Sequence, residues 1–96
     1  MIERERLSPL IKRTQEDGRI TPIHMSFLLA LLCCWEDNGW KAPIRASRKM
    51  LMKLAKIHSS STYHKCVQEL SAFGYIDYKP SFNPRGSDFS FSDLTG

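Results

Sequence analysis

Between Met25 and Trp35 the chain is apolar at every position but Ser26, with Thr21-Pro22 just ahead of that run and Asn38-Gly39 just behind it. A threonine followed by proline is a helix start. The hydroxyl accepts from an orphan amide, and proline's missing N–H is not needed in a first turn. Asn-Gly supplies a left-handed stop. The pattern predicts a helix over Pro22–Asp37 that is apolar on nearly every side. Such a helix needs cover on more than one face, from the domain's own core plus another element or a second subunit. The eleven residues of the run rise only ~16 Å as helix, against the ~30 Å hydrocarbon core of a bilayer. The run reads as a buried helix and not as a membrane span.

A chain of 96 residues holds one domain with a modest core. Ahead of the apolar helix, Ser8-Pro9 reads as an N-cap and first helical proline. Leu10–Asp17 is helix-capable, and Gly18 is its stop. Residues 1–20 are therefore expected to be an N-terminal segment, helical and involved in dimerisation. After the apolar helix, Trp40–Ala46 reads as a short extended piece that Pro43 confines to a sheet edge. Ser47 then caps a helix over Arg48–Lys56, with Met50, Leu51 and Leu54 on one side and Arg48, Lys49, Lys53 and Lys56 on the other. Ile57-His58 is a brief break. Ser59 caps the next helix, which runs to Phe73 and stops at Gly74.

At Tyr75 the hydrophobic period changes from helix to strand. Tyr75–Lys79 and Asp88–Ser92 both alternate with period two. Between them lies Pro80–Ser87, in which Asn83-Pro84-Arg85-Gly86 has the residue preferences of a type I turn. The expected order is helix, short strand, helix, tight turn, helix, two-stranded hairpin. That is a mainly α winged helix-turn-helix arrangement: a three-helix core with a two- or three-stranded wing over residues 21–92, and a tail at 93–96.

Charge is unevenly spread. Met1–Trp40 is almost neutral, whereas Lys41–Arg85 carries nine basic residues against Glu69 and Asp77 alone. A basic block of this kind suits a polyanion partner, and it equally suits a solvated face that keeps a protein soluble. Met1–Arg13 has no apolar stretch of the kind a secretory signal needs. Three cysteines, Cys33, Cys34 and Cys66, make a poor disulfide framework and read as buried free thiols of a reducing cytoplasm. The cysteines and His24, His58 and His64 lack paired metal-ligand spacing, so no metal and no cofactor is expected. No glycine-rich phosphate loop, nucleophile elbow or carboxylate pair is present either, and the chain does not read as an enzyme.

The stretch Leu51–Tyr63 and its continuation are the most informative. In the helix after Ser59, the positions Tyr63, Cys66 or Val67, Leu70 and Phe73 recur every three or four residues and form an inner row. Ser60, Ser61, Thr62, His64, Lys65 and Gln68 remain outside. All can hydrogen-bond and none is a carboxylate, so this side can approach a phosphate backbone without repulsion. Ser59 and Thr62 serve equally as caps or as phosphate ligands. Tyr75, Tyr78, Phe89 and Phe91 read as hairpin packing rather than a base-stacking platform.

Leu54-Ala55, the turn Ile57–Ser59, the Ser59-x-x-Thr62 helix start, Leu70 and Gly74-Tyr75-Ile76 together resemble the winged helix-turn-helix family of bacterial DNA-binding proteins. The resemblance spans about Thr21–Ser92 and looks closest to small proteins of mobile elements and replisome organisers. It implies a recognition helix at Ser60–Phe73 in the major groove and a wing at Pro80–Ser87 beside it. The expected DNA contacts are Arg48, Ser59, Ser60, Ser61, Thr62, His64, Lys65, Gln68, Lys79 and Arg85. Only Gln68 can make the bidentate adenine contact, and Lys65 can reach guanine or phosphate. The expected function is double-stranded DNA binding by a cytoplasmic regulator or accessory protein of a mobile element. It would act as a homodimer through the 22–37 helix and the N-terminal segment, with recognition helices ~34 Å apart. The alternative is a winged-helix protein-interaction or replication-assembly module.

Overall fold

The computed structural model describes residues 4–81 and 85–92. Four helices and three strands follow in the order α1 (Arg4–Glu16), α2 (Pro22–Asp37), β1 (Ile44–Ala46), α3 (Arg48–Ala55), α4 (Ser60–Ala72), β2 (Ile76–Lys79) and β3 (Ser87–Phe91). The tail at 93–96 lies outside the described residues, as do Asn83 and Pro84 of the expected turn.

α2 has the expected bounds. Thr21 takes an extended backbone, and its hydroxyl accepts from the His24 amide at 3.3 Å. His24 returns the bond, its Nδ1 accepting the Thr21 N–H at 2.9 Å, so histidine closes a capping box usually closed by glutamate. One side of α2 carries Phe27, Leu31 and Trp35 into the core. The opposite ridge is uncovered, with Met25 43% and Leu29 64% exposed.

α1 departs from expectation at its start. Ser8-Pro9 does not open the helix; Pro9 lies inside it. An interior proline forfeits one helical hydrogen bond and crowds the preceding turn, a cost of ~3 kcal/mol. Docking offsets it. Leu10 and Thr14 are buried, and Arg13 donates to the carbonyl oxygens of Phe73 at 2.7 Å and Gly74 at 3.2 Å. The Arg13 guanidinium also lies 4.1 Å from the centre of the Tyr75 ring. The end of α1 is thereby fastened to the end of α4.

α3 runs antiparallel along α2, with the Ser26 hydroxyl on the Ala55 carbonyl and Cys34 Sγ 4.0 Å from Met50 Sδ. Its inward row is Leu51 and Ala55, not the expected Met50, Leu51 and Leu54. Met50 and Leu54 are 52% and 43% exposed. The small Ala55 lets the two helices approach, and this turns the neighbouring row outward. Lys56, in the left-handed conformation at φ 61°, ends the helix at Ala55.

The sheet is antiparallel with order β1-β3-β2, so β3 is central and β1 is the short edge strand that Pro43 predicted. Ile44 and Tyr78 flank Phe89, while Ile76 pairs with Phe91. Of the four aromatics expected to pack the hairpin, Tyr75, Phe89 and Phe91 are fully buried, and half-buried Tyr78 stacks on Phe89. Each such side chain contributes roughly 1.5–3 kcal/mol by leaving water. Among the described residues no helix is long and apolar enough to cross a membrane.

Candidate nucleic-acid interface

The link between α3 and α4 is four residues, Lys56–Ser59. Ile57 holds it: its side chain is buried and its amide donates to the Met52 carbonyl at 2.9 Å. Ser59 then caps α4, its hydroxyl accepting from the Thr62 amide and sharing a hydrogen bond with the Ser61 hydroxyl, both at 3.3 Å. Of the two roles open to Ser59, the structure displays the cap.

α4 is anchored by a fully buried row of Tyr63, Cys66, Val67 and Leu70. Both Cys66 and Val67 point inward, so the alternatives left open by spacing are both realised. Ser60, Ser61, His64, Lys65 and Gln68 are exposed, and Thr62 is half-buried. Arg48, Lys79 and Arg85 are exposed too.

Two groups form. On one flank, Thr62 and Lys65 line a groove of about 480 Å³ together with Arg19, Thr21 and Ile23 at the start of α2. On the other, the first half of α4 meets the sheet. The Tyr63 hydroxyl is pushed up to about 12, first by burial and then by nearby Tyr78, while Arg48 opposes the shift. Arg48 and Tyr78 of β2 thus both act on the charge state of the same α4 hydroxyl. The hairpin joins them through Gly86, at φ +112°, whose Cα hydrogens face the Ala46 carbonyl and the Ser47 amide with no room for a side chain. That seats the residue after Arg85 directly on the junction preceding Arg48. Lys79 stands opposite Asp88 in the sheet, and Asp88 accepts from Arg45 Nε at 3.1 Å.

Sequence reasoning missed Glu69. This carboxylate sits on the α4 flank beside Lys65, and Oε1 lies 3.0 Å from His24 Nε2. Because Nδ1 of His24 accepts the Thr21 amide, Nε2 carries the proton and donates to Glu69. One carboxylate oxygen is engaged across the helix interface, while the side chain stays 37% exposed in the groove beside Lys65. A signal existed: Glu69 falls beside the inner row at Leu70, where an acidic group needs a partner. What no local pattern supplied was that α2 would present it.

Cys34 and Cys66 are buried as expected, but Cys33 is exposed on α2. Among the described residues no group of three histidine, cysteine or acidic side chains could hold a metal. No family model, curated protein or solved structure matches the chain.

Proposed function

We propose that the chain is a winged helix-turn-helix protein that binds double-stranded DNA, laying α4 in the major groove with the β2–β3 loop beside it. One observation carries the reading. The outward row of Ser61, His64, Lys65 and Gln68 is exposed and free of carboxylates, while the row behind it is fully buried. A rigid helix with such a face matches the ~12 Å width of the major groove. The sparing of the block Lys41–Arg85 from acidic residues, apart from Glu69 and Asp77, adds the long-range attraction that a phosphate backbone rewards. Lys65 and Arg48 would neutralise phosphates, and Gln68 would read adenine. The biological role that fits is a regulator or accessory factor acting on DNA in the cytoplasm of a bacterium.

Fluorescence anisotropy with a labelled duplex, titrated with salt, tests this. Affinity is expected to fall steeply from low to physiological salt, and Lys65→Ala is expected to reduce the log–log slope by about one. Absence of binding to any duplex at low salt rejects the reading in favour of a protein-assembly module, in which Lys65→Ala and Arg85→Ala leave activity intact.

A further inference from the structure

We propose that His24 is a proton-operated switch in the groove between the start of α2 and α4: a second proton on its buried ring turns that groove from electrically balanced to cationic, and duplex DNA is then held more tightly. The inference rests on the DNA-binding reading, since Thr62 and Lys65, two of its contacts, line that groove.

His24 is only 2% exposed, yet the charge of an imidazolium would be met on both sides of the ring. Nε2 donates to Glu69 Oε1 at 3.0 Å. Nδ1 accepts the Thr21 N–H at 2.9 Å, and the Thr21 hydroxyl oxygen lies 3.1 Å from the same nitrogen. Nδ1 is therefore the one place a second proton can enter. Once there, that proton is donated to Thr21 Oγ1, which has a further lone pair for the His24 amide that it already caps. The Thr21 N–H loses its acceptor, but Thr21 is an exposed residue and water can replace it. Protonation thus exchanges one capping bond for an ion pair with Glu69, and the core need not move.

The fixed charges of the groove cancel. Arg19 is bonded through Nε and a terminal nitrogen to both oxygens of Asp17, and Lys65 shares the groove with Glu69. A phosphate arriving at Lys65 meets the Glu69 carboxylate as well, because that side chain is 37% exposed. An imidazolium behind Glu69 offsets the repulsion and leaves the groove with one net positive charge. The other groups packed around the ring hold their charge. Phe73, edge-on at 5.8 Å, carries none, and the Arg19 guanidinium above Phe73 is matched by Asp17, which Arg19 keeps well below the ordinary carboxylate range. Burial pushes the Cys66 thiol up to about 12, so it stays neutral. Imidazole is the side chain whose ordinary titration falls between pH 5 and 8.

Fluorescence anisotropy with a labelled duplex at fixed ionic strength, from pH 8 to pH 5.5, tests this in a chain carrying His58→Gln and His64→Gln, where His24 is the sole histidine. Affinity is expected to rise about fivefold as the pH falls, the effect of one added charge near the backbone. Adding His24→Gln is expected to flatten the profile. Glutamine is an ordinary capping-box partner for Thr21, so this variant is expected to keep the fold, which circular dichroism checks. Nitrogen NMR of the ring, with and without duplex, reads the proton itself. A neutral Nε2–H form is expected at pH 8 and an imidazolium at pH 5.5, and duplex is expected to raise the proton affinity of the ring by the same factor that acid raises duplex affinity. Binding that is flat with pH overturns this inference alone, as does a profile that survives His24→Gln or a ring still neutral at pH 5.5 in the complex. Absence of duplex binding at every pH rejects the DNA-binding reading, and this inference with it.

Discussion

His24 Nε2 and Glu69 Oε1 lie 3.0 Å apart, which couples the first turn of α2 to the outer flank of α4. The imidazole is buried, with 3% of its side chain exposed, whereas the Glu69 side chain is 37% exposed. One pair thus does two things. It satisfies the ring N–H inside the fold, and it ties one oxygen of the single carboxylate of α4 to α2.

Glu69→Ala leaves that N–H buried without an acceptor, which costs about 1–3 kcal/mol. Glu69→Gln retains an amide oxygen at the same reach and is expected to lose less than half as much. Urea denaturation at neutral pH compares the two. Equal losses would mean that charge, not hydrogen bonding, holds the pair.

Lys65 and Gln68 are one turn apart and both exposed on α4, yet their losses should look different. Lys65→Ala is expected to weaken binding to all duplexes alike, because it would remove the proposed phosphate contact. Gln68→Ala is expected to relax preference at one base pair by about 1–3 kcal/mol and leave the salt slope unchanged. Selection of bound sequences from a random duplex pool, repeated with each variant, separates the effects. A Gln68→Ala pool identical to wild type would remove Gln68 from base reading.

Gly86 is expected to tolerate no side chain. At φ +112° a β-carbon would collide with the Ala46 carbonyl and the Ser47 amide, both of them backbone. Gly86→Ala should cost roughly 2–4 kcal/mol, from left-handed strain plus overpacking. Its urea midpoint should fall while the m-value holds. A midpoint within error of wild type would show that the hairpin base is not seated on the start of α3.

Asp17 gives stability a defined acid limb. Arg19 beside it, donating from its side chain and then its backbone, holds the Asp17 carboxyl well below the ordinary 3.8, with the Tyr75 hydroxyl helping and burial opposing. A carboxylate depressed in the folded state stabilises fully above its unfolded pKa and stops doing so as pH falls through the folded one. Asp17→Asn should therefore melt lower than wild type at neutral pH, and the gap should close below about pH 4. Melting curves from neutral to acid pH measure it; a gap that widens in acid contradicts the assignment.

The thiols should separate by burial. Cys66 is pushed up to about 12 by burial, with Glu69 adding to the shift, and burial also raises Cys34. Neither is expected to react with a disulfide reagent faster than the chain opens, whereas Cys33, on the surface, reacts first. Mass spectrometry of a labelling time course reports the order. Early modification of Cys66 would contradict its place against the Ile23 carbonyl, 3.8 Å from the sulfur.

What the amino-acid order determined by itself is every feature held by bonds within a few residues. The caps at Thr21, Ser47 and Ser59 each accept an amide three positions on, and the left-handed glycine at 74 follows the end of α4. The change of period at Tyr75 marks the passage from α4 to the hairpin because side-chain direction along a strand repeats every two residues. The tertiary structure decided what such periodicity leaves degenerate. On α3 the rows Met50–Leu54 and Leu51–Ala55 are both apolar and one step apart, and only the close approach of α2 chose the second. Pro9 was carried inside α1 because Leu10 is buried and Arg13 is bonded to the end of α4. Glu69 gained a partner because α2 set His24 beside it. A local pattern gives the angle between side chains on one element; which of those angles faces a neighbour depends on contacts dozens of residues away, and these form only when the chain closes on itself.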